Sequence, residues 1–277
     1  MQTTCGCTLV RQLKGETTGM AYRYTDQNRE EYYAAGLTIL RGLIPPSLVH
    51  DLRQEAETAR EIARRDHGPQ TQRLQPVYQY PELNHARFRD FLALPELCAT
   101  VVGILGPDHS ESDIMGILFE PRDTAWATAW HRDWGHNVRG IDTEAFYAAA
   151  LQKPAMFNQL NGALYDDHSL WVVPGSHRRY DTSEEQACFG GQIPPPGPLR
   201  TSEMSLEEQE RTCLDYTRQM PGAVNIVLAA GDVAFYRAVG WHIGNYVPYA
   251  KRATLHDGFY GPDDLVWQAN VPKYAMD

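Results

Sequence analysis

The sequence predicts a mainly β fold with flanking helices, an antiparallel double sheet whose helices pack on its outside. Three observations carry this. Amphipathic helical patterns fill the first part of the chain. From about residue 112 onward short apolar runs are separated by Gly, Pro, Asp and Asn, the pattern of strands and turns. Helices first and many short strands later segregate into helices on one side of an antiparallel sheet.

Each element has a local cause. Thr25 caps a helix over Asp26–Ala35, and Gly36 can end it. Leu37–Ile44 reads as a buried strand. Pro45-Pro46-Ser47 stops it and opens a helix to about Arg64, in which Leu48, Val49, Leu52, Ala56, Ala59, Ile62 and Ala63 recur at helical spacing. Pro95 starts another helix, with Leu97, Val101 and Leu105 on one side and Gly106 after it. Strands are predicted over Ile114–Phe119, Thr124–His131, Met156–Tyr165, Leu170–Val173, Val224–Leu228, Val233–Arg237, Trp241–Gly244 and Arg252–Tyr260. The stretch from Tyr180 to Pro221 carries Pro194-Pro195-Pro196-Gly197 and a helix opened by a Ser205/Glu208 capping box. It is too long for a turn between core strands and reads as a lid or a peripheral insertion.

At 277 residues the chain can bury one large core. It reads as a single domain over 1–277, with about 1–20 as an N-terminal extension and about 180–221 as the insertion. A composition 43% apolar and 22% charged is that of an ordinary globular protein. No apolar run reaches the length of a membrane span, and the start lacks the basic and apolar segments of a secretory signal, so a cytoplasmic location is expected. A net charge of −10 speaks against nucleic-acid or anionic-membrane partners. It leaves a small-molecule substrate open, and the sequence does not give the oligomeric state. The scattered cysteines, Cys5, Cys7, Cys98, Cys188 and Cys213, fit free thiols in a reducing compartment. Cys5-Gly6-Cys7 could pair on a metal, but no second Cys or His pair accompanies it, and a frayed terminus is expected.

The chemistry-bearing string is His131-Arg132-Asp133, at the end of a predicted strand. Residues i and i+2 of a strand share a face, so His131 and Asp133 can offer a nitrogen and an oxygen to one ion. His242, on a distant strand, can supply a third ligand. Two imidazoles and one carboxylate are the protein donors of a mononuclear non-haem Fe(II) oxygenase, and they leave one face of the octahedron open. Downstream, Arg252 suits a bidentate partner for a carboxylate cosubstrate. His136 could replace or join Asp133, and His131, Asp133 and His136 together would make a local zinc site. A zinc hydrolase, a cupin-like isomerase and a non-catalytic binding module on the same scaffold are the competing readings.

These residues resemble the phytanoyl-CoA dioxygenase family of Fe(II)/2-oxoglutarate oxygenases, roughly from Tyr24 to Tyr260. The opening, Tyr32-Tyr33-Ala34-Ala35-Gly36-Leu37-Thr38-Ile39-Leu40-Arg41-Gly42-Leu43-Ile44, is similar to the family's entry helix and strand. His131-Arg132-Asp133 matches its centre. Leu170-Trp171-Val172-Val173-Pro174-Gly175-Ser176-His177 is the most specific part, and Gly231-Asp232-Val233-Ala234-Phe235-Tyr236, Trp241-His242, Asn245 and Arg252 complete the pattern.

The resemblance implies a double-stranded β-helix (jelly-roll) core, with iron on His131, Asp133 and His242 and the distal carboxylate of 2-oxoglutarate on Arg252. Dioxygen is the further cosubstrate, and ascorbate a stimulant of turnover. Asn161, with Gln159 beside it, is the best match for a further cosubstrate contact. Phe157, Gln159, Asn161, Ala163 and Tyr165 are expected on one face. Relatives often carry a small hydroxyl residue two positions after the second histidine, whereas this chain has Gly244. Related halogenases replace the carboxylate with a small residue, so Asp133 favours hydroxylation, desaturation or ring closure over halogenation. Substrate-facing candidates are Trp134, His136, Asn137, Arg139, Tyr80 and Tyr165. The net acidity disfavours a CoA thioester, and a small metabolite or natural-product intermediate is expected.

Overall fold

The computed structural model describes residues 22–111, 114–133, 143–153, 157–189 and 204–261. The chain opens with helix α1 (Asp26–Ala35), strand β1 (Leu37–Leu40) and the long helix α2 (Pro46–Asp66). Strand β2 (Arg73–Leu74), helices α3 (His85–Leu92) and α4 (Pro95–Leu105), and strands β3 (Ser110–Glu111), β4 (Gly116–Phe119) and β5 (Trp126–Ala127) follow. Helix α5 (Thr143–Gln152) precedes strands β6 (Asn158–Ala163) and β7 (Leu170–Val172). Helices α6 (Ser183–Phe189) and α7 (Leu206–Arg218) precede β8 (Val224–Asn225), β9 (Val233–Arg237), β10 (His242–Tyr246), β11 (Ala253–Asp257) and β12 (Phe259–Tyr260).

The strands form an antiparallel sheet of six in the order β1-β9-β6-β11-β4-β2, a sheet of four in the order β5-β10-β7-β8, and a β12-β3 pair. This is the antiparallel double sheet that the strand pattern predicts, and the double-stranded β-helix that the family resemblance implies.

Alternation on the six-stranded sheet explains both of its faces. Leu160, Val233, Phe235, Leu255, Ile117 and Phe119 point outward into one apolar core shared with Leu52, Ala56, Phe88, Phe91 and Leu97 of the helices. Burying each such Leu or Phe fully contributes about 1.5–3 kcal/mol. The opposite face holds Ala163, Ala234 and Tyr236, which meet Leu170, Val172, Ile226 and Leu228 between the sheets. The four-stranded sheet is covered on its outside by α6 and α7, through Trp130, Trp241, Ile243, Phe189 and Cys213. The expected capping box of α7 is present, with Ser205 and Glu208 exchanging bonds.

Several boundaries differ from the sequence prediction. The strand expected to reach Ile44 stops at Leu40. The Asp232 carboxylate accepts from Gly42 N at 2.7 Å and from the Arg41 guanidinium at 2.6 Å, and Gly42 has φ +62°, so the chain turns there. Of the expected strand Thr124–His131 only Trp126–Ala127 pairs along a ladder, and His131 makes an isolated bridge to His242. Helices α3 and α5 lie outside the predicted elements: α3 places Phe88, Phe91 and Leu92 at helical spacing but is only 8 residues long, and α5 carries little periodicity. Cys98, Cys188 and Cys213 form no disulfide among the described residues, and Cys5 and Cys7 lie outside the described residues. No helix among the described residues is long and apolar enough to cross a membrane.

Candidate metal centre

His131 and His242 are directly opposed across an antiparallel bridge. His131 N donates to His242 O at 3.2 Å and His242 N to His131 O at 3.0 Å. Opposed residues of such a pair project to the same face, which brings the two rings to 4.2 Å between centroids. Asp133 follows two residues later in a turn held by its own N–H to Ala238 O at 2.9 Å. One ligand atom from each of His131, Asp133 and His242 lies within 4.8 Å of the others. Asp133 Oδ1 is 3.4 Å from His131 Nε2, and Oδ2 is 3.9 Å from His242 Nε2.

The tautomers follow from the outer hydrogen bonds. His131 Nδ1 donates to Ala129 O at 2.8 Å and His242 Nδ1 to Gly240 O at 3.0 Å. Both Nε2 lone pairs are thereby turned toward the centre of the triad, the arrangement that metal-ligating histidines adopt. Burial, and next the charge of His131, push His242 down to about 4, so its ring is neutral near pH 7. Burial opposes ionisation of Asp133, but the His131 hydrogen bond and the His242 charge outweigh it and hold the carboxyl well below its usual range. Burial also opposes protonation of His131, yet its bond to Asp133 gives a net upward shift. A cation would take the place of that proton. The donor set therefore fits a divalent metal.

A second layer of polar groups lines the same interior. Gln159 Nε2 donates to Asp133 Oδ2, and Tyr236 donates its hydroxyl to Gln159 Oε1 at 2.7 Å. The tyrosine fixes which end of the amide faces the carboxylate. Asn161 Oδ1 accepts from His256 Nδ1 at 2.8 Å, and burial followed by the charge of Arg73 pushes His256 down to about 3. Arg73 is exposed on the edge strand β2. Its neighbour Leu74 lies in the outer core, so Arg73 faces the interior side. Its side chain makes no hydrogen bond or ion pair with any described residue.

Arg252 is held through its backbone, its Nε and its stacking face. Its N–H donates to Glu120 Oε2 at 2.9 Å and its carbonyl accepts from Arg60 at 3.0 Å. Its Nε donates to Asp167 Oδ2 at 2.9 Å, which also accepts from Thr254 Oγ1 at 2.7 Å. The guanidinium carbon lies 4.9 Å from the Tyr246 ring centroid. The two terminal guanidinium nitrogens make no hydrogen bond with any described residue. Burial would raise the Asp167 pKa, but the Arg252 charge and the bonds from Ser169 lower it to about 2, so the pair is ionic.

Trp134, His136, Asn137 and Arg139 lie outside the described residues. Tyr80 sits at the helix side of the six-stranded sheet, its hydroxyl 2.8 Å from His67 Nε2. Tyr165 is also on that side, donating to Glu57 Oε1 at 3.2 Å beneath Arg53. The face expected to run from Phe157 to Tyr165 covers only Gln159, Asn161 and Ala163, because β6 begins at Asn158 and ends at Ala163. The structure does not bring Tyr80 or Tyr165 to the triad.

Sequence reasoning missed Arg132, Tyr236, Asp167 and Arg73. Arg132 is 1% exposed and points away from the triad. It donates to Ser176 O at 2.8 Å, Val239 O at 2.9 Å and Asp181 Oδ1 at 2.8 and 3.1 Å. It thus ties the His131–Asp133 segment to the Pro174–His177 turn and to the loop that leads into His242. An arginine between two metal-type ligands was the available signal, since strand alternation turns it to the opposite face.

A jelly-roll with two histidines and one aspartate converging between its sheets defines a metal-type double-stranded β-helix protein. The phytanoyl-CoA dioxygenase family model matches residues 32–244, and the chain belongs to that family. No curated protein matches the sequence. Among solved structures, EvdMO1 is similar at TM-score 0.55 and 16% identity, over 85% of this chain and 49% of its own, so the chain spans about half the length of that protein. EctD from S. alaskensis with 2-oxoglutarate and 5-hydroxyectoine is similar at TM-score 0.57 and 17% identity, over 90% of this chain and 80% of its own. The epimerase SnoN in complex with Fe3+, alpha ketoglutarate and nogalamycin RO is similar at TM-score 0.55 and 16% identity, over 91% of each chain. These likenesses establish the fold.

Proposed function

We propose that this protein is an Fe(II)/2-oxoglutarate-dependent oxygenase that hydroxylates an unactivated C–H bond of a small metabolite or natural-product intermediate. The observation that carries this is the convergence of His131 Nε2, an Asp133 carboxylate oxygen and His242 Nε2 within 4.8 Å, with both Nδ1 atoms engaged elsewhere. Iron with 2-oxoglutarate and dioxygen would supply the oxidant that inserts one oxygen atom into the substrate, releasing succinate and CO2.

The chain's own residues do the positioning. His131, Asp133 and His242 would hold the metal on one face and leave the other open. Gln159, oriented by Tyr236, keeps the Asp133 carboxylate in place. Arg252, braced by Asp167, presents its free guanidinium edge to a carboxylate. His256 and Asn161 satisfy each other and line the interior with neutral polar groups. Arg73 gives the open edge of the barrel a positive charge, which suits an acidic or phosphorylated substrate despite the net negative charge of the chain. The sheets wall the site from bulk water on both sides.

The test is succinate release from purified protein with Fe(II), 2-oxoglutarate, ascorbate and a metabolite panel, with products identified by mass. Hydroxylation adds one oxygen atom; desaturation and ring closure each remove two hydrogens. Absence of succinate with every substrate, together with no metal retained by the wild-type protein, refutes the reading.

A further inference from the structure

We infer that Tyr246 is a cosubstrate-gripping residue, and that Gly244 is glycine to let it act. This deepens the oxygenase reading and rests on it. His242, Gly244 and Tyr246 are alternate residues of β10, so they share the face that carries the triad. A side chain on Gly244 would begin within bonding range of the Tyr246 hydroxyl oxygen and ring. The phenol therefore folds back along its own strand and fills the space above Gly244, toward His242. Two residues along a strand span about 7 Å, which is the reach of a five-carbon diacid chelated at one end beside His242.

The Tyr246 phenol and the adjoining Arg252 guanidinium bring three donors to this side of the strand. The Tyr246 hydroxyl makes no hydrogen bond with any described residue. The guanidinium of Arg252 lies against the Tyr246 ring, 4.9 Å from its centroid, with two nitrogens uncommitted. Asp167 occupies the Arg252 Nε edge at 2.9 Å, and so directs the uncommitted edge away from itself. A carboxylate between these groups accepts from the guanidinium and from the phenol, which supplies the hydroxyl that position 244 lacks.

The experiment is calorimetric binding of 2-oxoglutarate, and of 2-oxobutanoate, which lacks the distal carboxylate, to protein loaded with redox-silent zinc(II). Tyr246→Phe keeps the ring and its contact with Arg252. It should weaken 2-oxoglutarate about tenfold, the value of a hydrogen bond to a charged group, and leave 2-oxobutanoate unchanged. Gly244→Ala adds no polar group and should give the same selective loss, because its methyl evicts the phenol. Unchanged 2-oxoglutarate binding in both variants, with a wild-type protein that prefers 2-oxoglutarate, overturns this assignment alone. A wild-type protein that binds neither keto acid overturns the oxygenase reading and this one with it.

Discussion

Replacing Arg132 with methionine tests how the metal centre is held. Among the described residues the guanidinium donates four hydrogen bonds, two of them to the carbonyls of Ser176 and Val239. Methionine keeps much of the volume but leaves those two buried acceptors unpaired, at about 1–3 kcal/mol each. Asp181 is the less costly orphan, since it is 28% exposed and retains the Trp241 Nε1 bond at 3.0 Å. The expected loss is therefore about 3–5 kcal/mol, the range for breaking a buried charged pair from one side. Arg132 also joins the segments that carry Asp133 and His242, so metal affinity should fall about 10- to 100-fold. Urea unfolding of the metal-free protein measures the first effect, and zinc titration against a competing chelator the second. A variant that loses less than about 1 kcal/mol and binds zinc as tightly as wild type refutes this account of Arg132.

Other outcomes are expected from the same geometry. Asp133→Ala should abolish the metal-dependent rise in melting temperature, which at about 100 times Kd corresponds to about 2.7 kcal/mol in the wild-type protein; a persisting rise would place the metal elsewhere. Asp167→Ala leaves the Arg252 charge buried and should cost about 3–5 kcal/mol, read by urea unfolding at neutral pH. Asp167 has its folded pKa lowered from 3.8 to about 2. Its contribution is therefore present above about 4 and lost as pH falls toward 2, and Asp167→Asn should flatten that acid limb. His177 acts in a separate window. Burial, then the Arg237 charge, lowers it from 6.5 to about 4. The unfolded chain takes up that proton first, so stability should fall as pH drops from 6.5 toward 4; His177→Gln should remove that part of the slope, and an unchanged slope would refute the assignment.

Much of this molecule is legible in its sequence, and the losses have physical causes. Helices α1, α2 and α4 are set by caps, prolines and 3.6-residue periodicity, all of them local. Strands such as β9 are set by apolar content between turn residues. His131, Asp133 and His242 could be proposed from residue type and strand alternation, but their meeting depends on the His131–His242 bridge, a non-local pairing. Tyr165 shows where alternation misleads: its pattern continues past Ala163, while the backbone leaves the sheet and takes the side chain to α2. Asp167 carries no motif at all. Its role exists because an isolated bridge to Leu228 fixes its backbone beside a strand far along the chain. Arg132 was written inside the most conspicuous string, and only the third dimension gives it a job.

The two histidines of the triad are each oriented by a main-chain carbonyl two residues before them, Ala129 for one and Gly240 for the other. Main-chain carbonyls are present whatever residue stands at those positions. The tautomer of each ligand is therefore insulated from substitution of the side chains around it. A lineage built on this centre can rework the walls of the barrel for new substrates while the part that grips the metal stays tuned.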